Sequence, residues 1–114
     1  MKVAIITALL FANIGLAQAN PVEKGKALVE TAGCAACHGP NYKEAILPAY
    51  PKLAGQYPDY LYYALLAYKV GNSNAEFGRN NAIMGAQVAP YSDAELKAMA
   101  AYLATLPGPF VIKK

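Results

Sequence analysis

The sequence predicts a small all-α domain. Apolar residues recur at the spacing of one helix face in three separate stretches, no stretch alternates apolar and polar residues as a strand does, and prolines and glycines crowd the segments between. Beyond a short leader the chain forms one unit with no internal repeat. At 95 residues it has a size at which a single apolar core is only modestly sufficient.

The chain opens with Lys2, an apolar run from Val3 to Phe11, and Ala17-Gln18-Ala19, the small-x-small pattern of a secretory cleavage site. Residues 1–19 read as a signal peptide cut after Ala19, and residues 20–114 as the mature domain. Asn13, Gly15 and Gln18 interrupt the apolar run too early for a span of about 20 apolar residues, so no membrane span is expected after cleavage. In a bacterium the product is periplasmic.

Gly25, Leu28, Val29 and Ala32 share one helix face, which predicts a short amphipathic helix over 22–32 ending at Gly33. Cys34-Ala35-Ala36-Cys37-His38 follows at once. From Gly39 to Tyr57 the chain carries Pro40, Pro48, Pro51 and Gly55, a breaker density that predicts an ordered loop. A second helix begins near Pro58 or Asp59, buries Leu61, Ala64, Leu65 and Tyr68, and stops at Gly71. Residues 71–91, polar and asparagine-rich with Met84 and Pro90, are expected to form a second loop. Ser92-Asp93-Ala94-Glu95 has the pattern of a capping box, and the third helix carries Leu96, Met99, Ala100 and Leu103 before Pro107-Gly108-Pro109 ends it.

The C-x-x-C-H run is an attachment site for c-type haem. Two thiols at this spacing add to the two vinyl groups on one edge of the macrocycle, and the adjacent histidine then lies beneath the iron. A structural zinc site needs four ligands, and two cysteines with one histidine fall one short. A redox C-x-x-C belongs beside a βαβ pattern, which is absent here. A bare disulfide would make the position of His38 a coincidence. The expected cofactor is therefore one haem c per chain, held through Cys34 and Cys37.

The second axial ligand follows by elimination. His38 is the only histidine, Met1 belongs to the leader, and Met99 lies on the inward stripe of the third helix, where a methionine is core. Met84 remains, in a loop that can bring its thioether over the opposite face of the ring. Charge narrows the partners: after residue 19, nine basic and seven acidic residues leave +2, which suits neither a nucleic-acid binder nor strong electrostatic steering.

The chain resembles a class I cytochrome c, and within that class the monohaem cytochromes c553 and the single-haem halves of cytochrome c4. The matching segments are Val22-Glu23-Lys24-Gly25-Lys26, Cys34 to Gly39, Tyr50-Pro51-Lys52-Leu53-Ala54-Gly55-Gln56, Arg79-Asn80-Asn81-Ala82-Ile83-Met84, and Ser92 to Leu96 continuing through Ala101-Tyr102-Leu103. The resemblance implies three main helices, the N- and C-terminal ones crossing near right angles, with the haem in a crevice between His38 and Met84. It also implies that the Pro51 carbonyl accepts a hydrogen bond from the proximal histidine, and that Gly25 packs against Tyr102 at the crossing. Arg79, with Tyr60, Tyr63 or Tyr68, is a candidate contact to the haem propionates or the methionine sulfur, and Asn80 and Asn81 are candidate supports for Met84.

With both axial positions filled, no coordination site is open to a substrate. The expected function is single-electron transfer, without enzymatic turnover, between redox protein partners that meet the chain through a small transient interface. Ala35, Ala36 and the loop from Gly39 to Pro48 are the expected contact surface. A tightly bound subunit of a periplasmic dehydrogenase or oxidase is the alternative, a haem-based gas sensor a more remote one. Either a monomer or a homodimer is compatible with the sequence.

Overall fold

The computed structural model describes residues 20–110 and contains helices α1 (Pro21–Ala32), α2 (Ala35–His38), α3 (Pro58–Val70), α4 (Ala82–Val88) and α5 (Asp93–Thr105), with a 3₁₀ turn at Gly71–Ser73. Among the described residues there is no strand, and no helix is long and apolar enough to cross a membrane. The expected leader over 1–19, with its cut after Ala19, lies outside the described residues.

Helix α1 starts where Asn20 accepts a hydrogen bond from the Glu23 N–H at 2.9 Å, with Pro21 in the first turn, where its missing N–H costs nothing. It ends at Gly33, which takes the left-handed conformation (φ 70°). The Gly33 N–H returns to the Glu30 carbonyl and the Cys34 N–H to that of Val29, the paired bonds of a Schellman motif. The same turn that closes α1 therefore delivers Cys34 in a set direction.

Helices α1 and α5 form the most extensively packed pair. Their backbones meet at Gly25, where a Cβ would fall inside the Ala98 carbonyl and 3.0 Å from the Tyr102 Cβ. Only a residue without a side chain permits this approach. Around it Val29 and Leu96 are fully buried, each worth about 1.5–3 kcal/mol relative to exposure. Met99, Ala100 and Leu103 of α5, Leu61 of α3 and Val88 of α4 complete one core. Helix α5 begins with both halves of the capping box: the Glu95 N–H donates to Ser92 Oγ, and the Ser92 N–H donates to the Glu95 carboxylate at 2.8 Å.

One loop expectation is corrected. The segment 71–91 is not a loop throughout, because Gly71–Ser73 forms a 3₁₀ turn and Ala82–Val88 forms α4. Asn81 caps α4 by accepting the Met84 N–H at 2.9 Å, and Val88 buries its inner side, so tertiary packing sustains a helix of only seven residues. The cysteine motif is itself a helical turn, α2, in which the His38 N–H donates to the Cys34 carbonyl.

The 39–57 loop is ordered by its own backbone bonds. Tyr42 is the one non-glycine residue among those described with positive φ (59°), a conformation that costs about 1–2 kcal/mol without glycine. Burial of its ring to 6% exposure offsets that cost. Its carbonyl accepts from both the Leu53 and the Ala54 N–H, at 2.8 and 2.9 Å, and the Gly55 N–H reaches the Leu103 carbonyl of α5.

Substituting Gly25 by alanine should already force α1 and α5 apart, lowering stability by about 1–3 kcal/mol in thermal unfolding, with valine worse. Gly33→Ala, whose Cβ meets nothing within 4 Å, should carry only the left-handed strain. The hydrogen bond from the Ser92 N–H holds the Glu95 carboxyl below its ordinary pKa. Its contribution is complete above the unfolded value and is lost as pH falls through the lowered folded one. Over roughly pH 5 to 3, Glu95→Gln should therefore lose less thermal stability on acidification than the parent chain.

Candidate functional site

A crevice of about 230 Å³ opens between α2, the 39–57 loop, α3, α4 and α5. Cys34, Cys37 and His38 line one side, Pro51 and Leu53 the adjoining loop wall, and Met84 and Val88 come from α4. Leu65 and Tyr68 of α3, with Met99 and Leu103 of α5, close the remainder. The sequence-predicted residues Cys34, Cys37, His38, Pro51 and Met84 thus share one lining. Met99 is 2% exposed and belongs to the core, yet it also reaches this wall.

His38 is 6% exposed, and its Nδ1 lies 2.8 Å from the Pro51 carbonyl oxygen. A carbonyl only accepts, so Nδ1 is the protonated nitrogen and donates. In the neutral ring this leaves the lone pair on Nε2, the form in which imidazole binds a metal. The Tyr50 ring stands 6.4 Å from the imidazole, tilted by 48°.

Both cysteines are free and partly exposed. Burial pushes the Cys34 thiol above its ordinary pKa, opposite to the depressed value that activates a thiol for disulfide exchange. Among the described residues, no group of three or more His, Cys, Asp or Glu side chains is placed to hold a metal ion. Two thiols one helical turn apart, one imidazole with a free Nε2, and otherwise mostly apolar walls are a donor set that fits a porphyrin.

A second, smaller cavity of about 80 Å³ shares His38, Pro51, Leu65, Tyr68 and Met84 with the first and adds Lys52, Gln56, Tyr60 and Arg79. The Arg79 guanidinium stands over the Tyr60 and Tyr68 rings at 5.9 and 5.4 Å, and its backbone N–H bonds to the Ala67 carbonyl. Tyr63 packs edge-on against Phe77. Asn81 supports Met84 through the α4 cap, whereas Asn80 is exposed.

Sequence reasoning missed α4 and the crevice walls supplied by Leu65, Val88 and Leu103. Asn81 before an apolar run was the available signal for α4, since asparagine is a preferred N-cap. Gly85 and the brevity of the run obscured it.

An all-helical domain with a C-x-x-C-H turn opening on an apolar crevice defines a protein built to hold a haem through thioethers. Residues 22–107 match the cytochrome c family, and the chain belongs to it, in class I. The family carries covalently attached haem c, with Cys34 and Cys37 standing here at the attachment spacing.

Cytochrome c4 of Thiocapsa roseopersicina is 38% identical over 74 residues, covering 65% of this chain and 34% of that protein. A thiosulfate dehydrogenase electron acceptor of Thiomonas intermedia (strain K12) is 35% identical over 88 residues, covering 77% and 38%. Reduced recombinant cytochrome c4 from Pseudomonas stutzeri superposes with a TM-score of 0.67 at 36% identity, covering 76% of this chain and 46% of that one. The chain thus spans less than half the length of these proteins.

Asn81→Ala should remove the α4 cap at a cost of about 1 kcal/mol, read as a lower melting temperature. Asn80→Ala, at an exposed position, should leave it within experimental error.

Proposed function

We propose that this chain is a periplasmic single-electron carrier, exported by a signal peptide over 1–19 that is cut after Ala19, and that it performs no enzymatic turnover. The haem supplies the one-electron Fe(II)/Fe(III) couple. His38 Nε2 and the Met84 thioether would be the side chains that hold its iron, and with both bound no position would remain open for a substrate. The observation that carries this reading is that His38, with Nε2 free, and Met84 line one crevice with both cysteines. A thioether opposite an imidazole raises the reduction potential relative to harder ligand pairs.

The crevice mouth supports an outer-sphere partner interface. None of the residues lining the crevice is Asp, Glu, Lys or Arg, and among them Ile83 is 60% exposed. In the 39–48 loop Ile46 and Leu47 are 60 and 49% exposed, beside Lys43 and Glu44 in the chain. An apolar lining with so few charges beside it suits brief docking with redox proteins through a small contact. The relative named as a thiosulfate dehydrogenase electron acceptor favours a second reading, in which this chain serves one dehydrogenase as its electron-accepting subunit. Copurification with a larger catalytic chain would support that reading.

The far-red absorption of the ferric protein, which reports methionine on the iron, tests the ligand pair. It should vanish in Met84→Ala and persist in Met99→Ala, and the ferrous Met84→Ala protein should bind CO rapidly where the parent chain resists it. The reverse pattern would assign the ligand to Met99, and rapid CO binding by the parent chain would favour the gas sensor.

A further inference from the structure

We propose that Tyr42 is a positioning residue for the iron ligand: its buried ring and left-handed backbone clamp residues 53 and 54, which fixes the Pro51 carbonyl against His38 Nδ1. The inference deepens the haem-carrier reading and rests on it for the role of His38, though not for the clamp.

The imidazole orientation depends on a carbonyl 13 residues away in a loop that contains no helix or strand. Something must hold that carbonyl in place. Pro51 lies two residues before Leu53, whose N–H donates to the Tyr42 carbonyl at 2.8 Å, and the next residue, Ala54, donates to the same oxygen at 2.9 Å. One carbonyl accepting two consecutive amides sets both the position and the direction of the segment carrying Pro51. On its far side the segment is tied to α5 by the bond from the Gly55 N–H to the Leu103 carbonyl.

Tyr42 presents its carbonyl this way because its backbone is left-handed, with φ 59°, and its own N–H returns to the Gly39 carbonyl. Glycine or asparagine would adopt that conformation more easily. A tyrosine there is explained by its ring, which is buried in the same cluster as Val29, Leu96 and Ala54. The ring anchors the strained residue to the α1–α5 core, and the carbonyl transmits that anchor to the loop. Strain held by surrounding packing at a ligand-orienting position is the pattern expected of a functional constraint.

The consequence is electronic as well as structural. An imidazole that donates Nδ1–H to a carbonyl is a stronger base at Nε2, which favours the ferric state. Loosening the clamp weakens that bond, so the reduction potential should rise.

The test compares Tyr42→Gly, which keeps the backbone conformation and removes the ring, with Tyr42→Phe, which keeps the ring. Two quantities are read on the haem-loaded chain: the reduction potential, and the rate at which the His38 Nδ1–H exchanges with deuterium in the ferrous state. Tyr42→Gly should move the potential upward and speed the exchange about tenfold or more, while Tyr42→Phe should match the parent chain in both. If the glycine variant fails to mature, Tyr42→Asn carries the same expectation, because asparagine tolerates the left-handed region. An unchanged potential or exchange rate in a variant whose melting temperature has fallen overturns the proposal and leaves the ring as packing. A parent chain without thioether-haem absorption would overturn the haem reading, and faster exchange of the Leu53 and Ala54 amides in Tyr42→Gly than in Tyr42→Phe would then support the clamp alone, equal exchange overturn it.

Discussion

The backbone contact at Gly25 is the constraint on which the rest of the structure depends. Two helices can approach to carbonyl distance only where one of them has no side chain, and that approach places Val29 and Leu96 in a fully buried seam. Helix α5 is then fixed relative to the end of α1. The Schellman turn at Gly33 passes this placement on to Cys34, so the cysteine turn inherits its direction from the helix crossing. On the other side, Met99 and Leu103 of α5 build both the core and the crevice wall.

The crevice is thus lined by elements that differ in how they are held. Helices α1, α3 and α5 are secured by apolar burial, which is strong but does not discriminate direction. The His38 ring needs a direction, and hydrogen bonds supply it: the Pro51 carbonyl at Nδ1, and behind it the Tyr42 carbonyl and the α5 carbonyl of Leu103. Met84 is held differently again. It sits in the first turn of a helix too short to be stable alone, fixed by the Asn81 cap and the buried Val88. Apolar packing makes the space, and polar contacts orient what faces it.

Surface composition points the same way as the crevice. Charge is sparse overall, and the crevice lining has no Asp, Glu, Lys or Arg, so an encounter there depends on apolar fit and short residence rather than long-range attraction. Arg79 is the contrast. It stands over two tyrosine rings at the smaller cavity, which adds Lys52 to residues such as His38, Pro51 and Met84 that it shares with the crevice.

By itself the sequence determined the helical class, the three long helices with the Gly33 and Gly71 stops and the Ser92 cap, the haem motif, and the short list from which axial ligands could be drawn. Each of these rests on residues close together in the chain: a 3.6-residue period, a serine three before a glutamate, two thiols three apart. The family pattern added the pairing of Pro51 with the proximal histidine and of Gly25 with Tyr102, which spacing alone could not supply. Tertiary structure decided what local signals could not. Residues 82–88 are helical because Val88 finds a core, Met99 lines the crevice as well as the interior, and Tyr42 accepts an unfavourable backbone conformation because its ring is buried. Those outcomes depend on burial against residues distant in sequence, and burial is a property of the folded chain rather than of any segment within it.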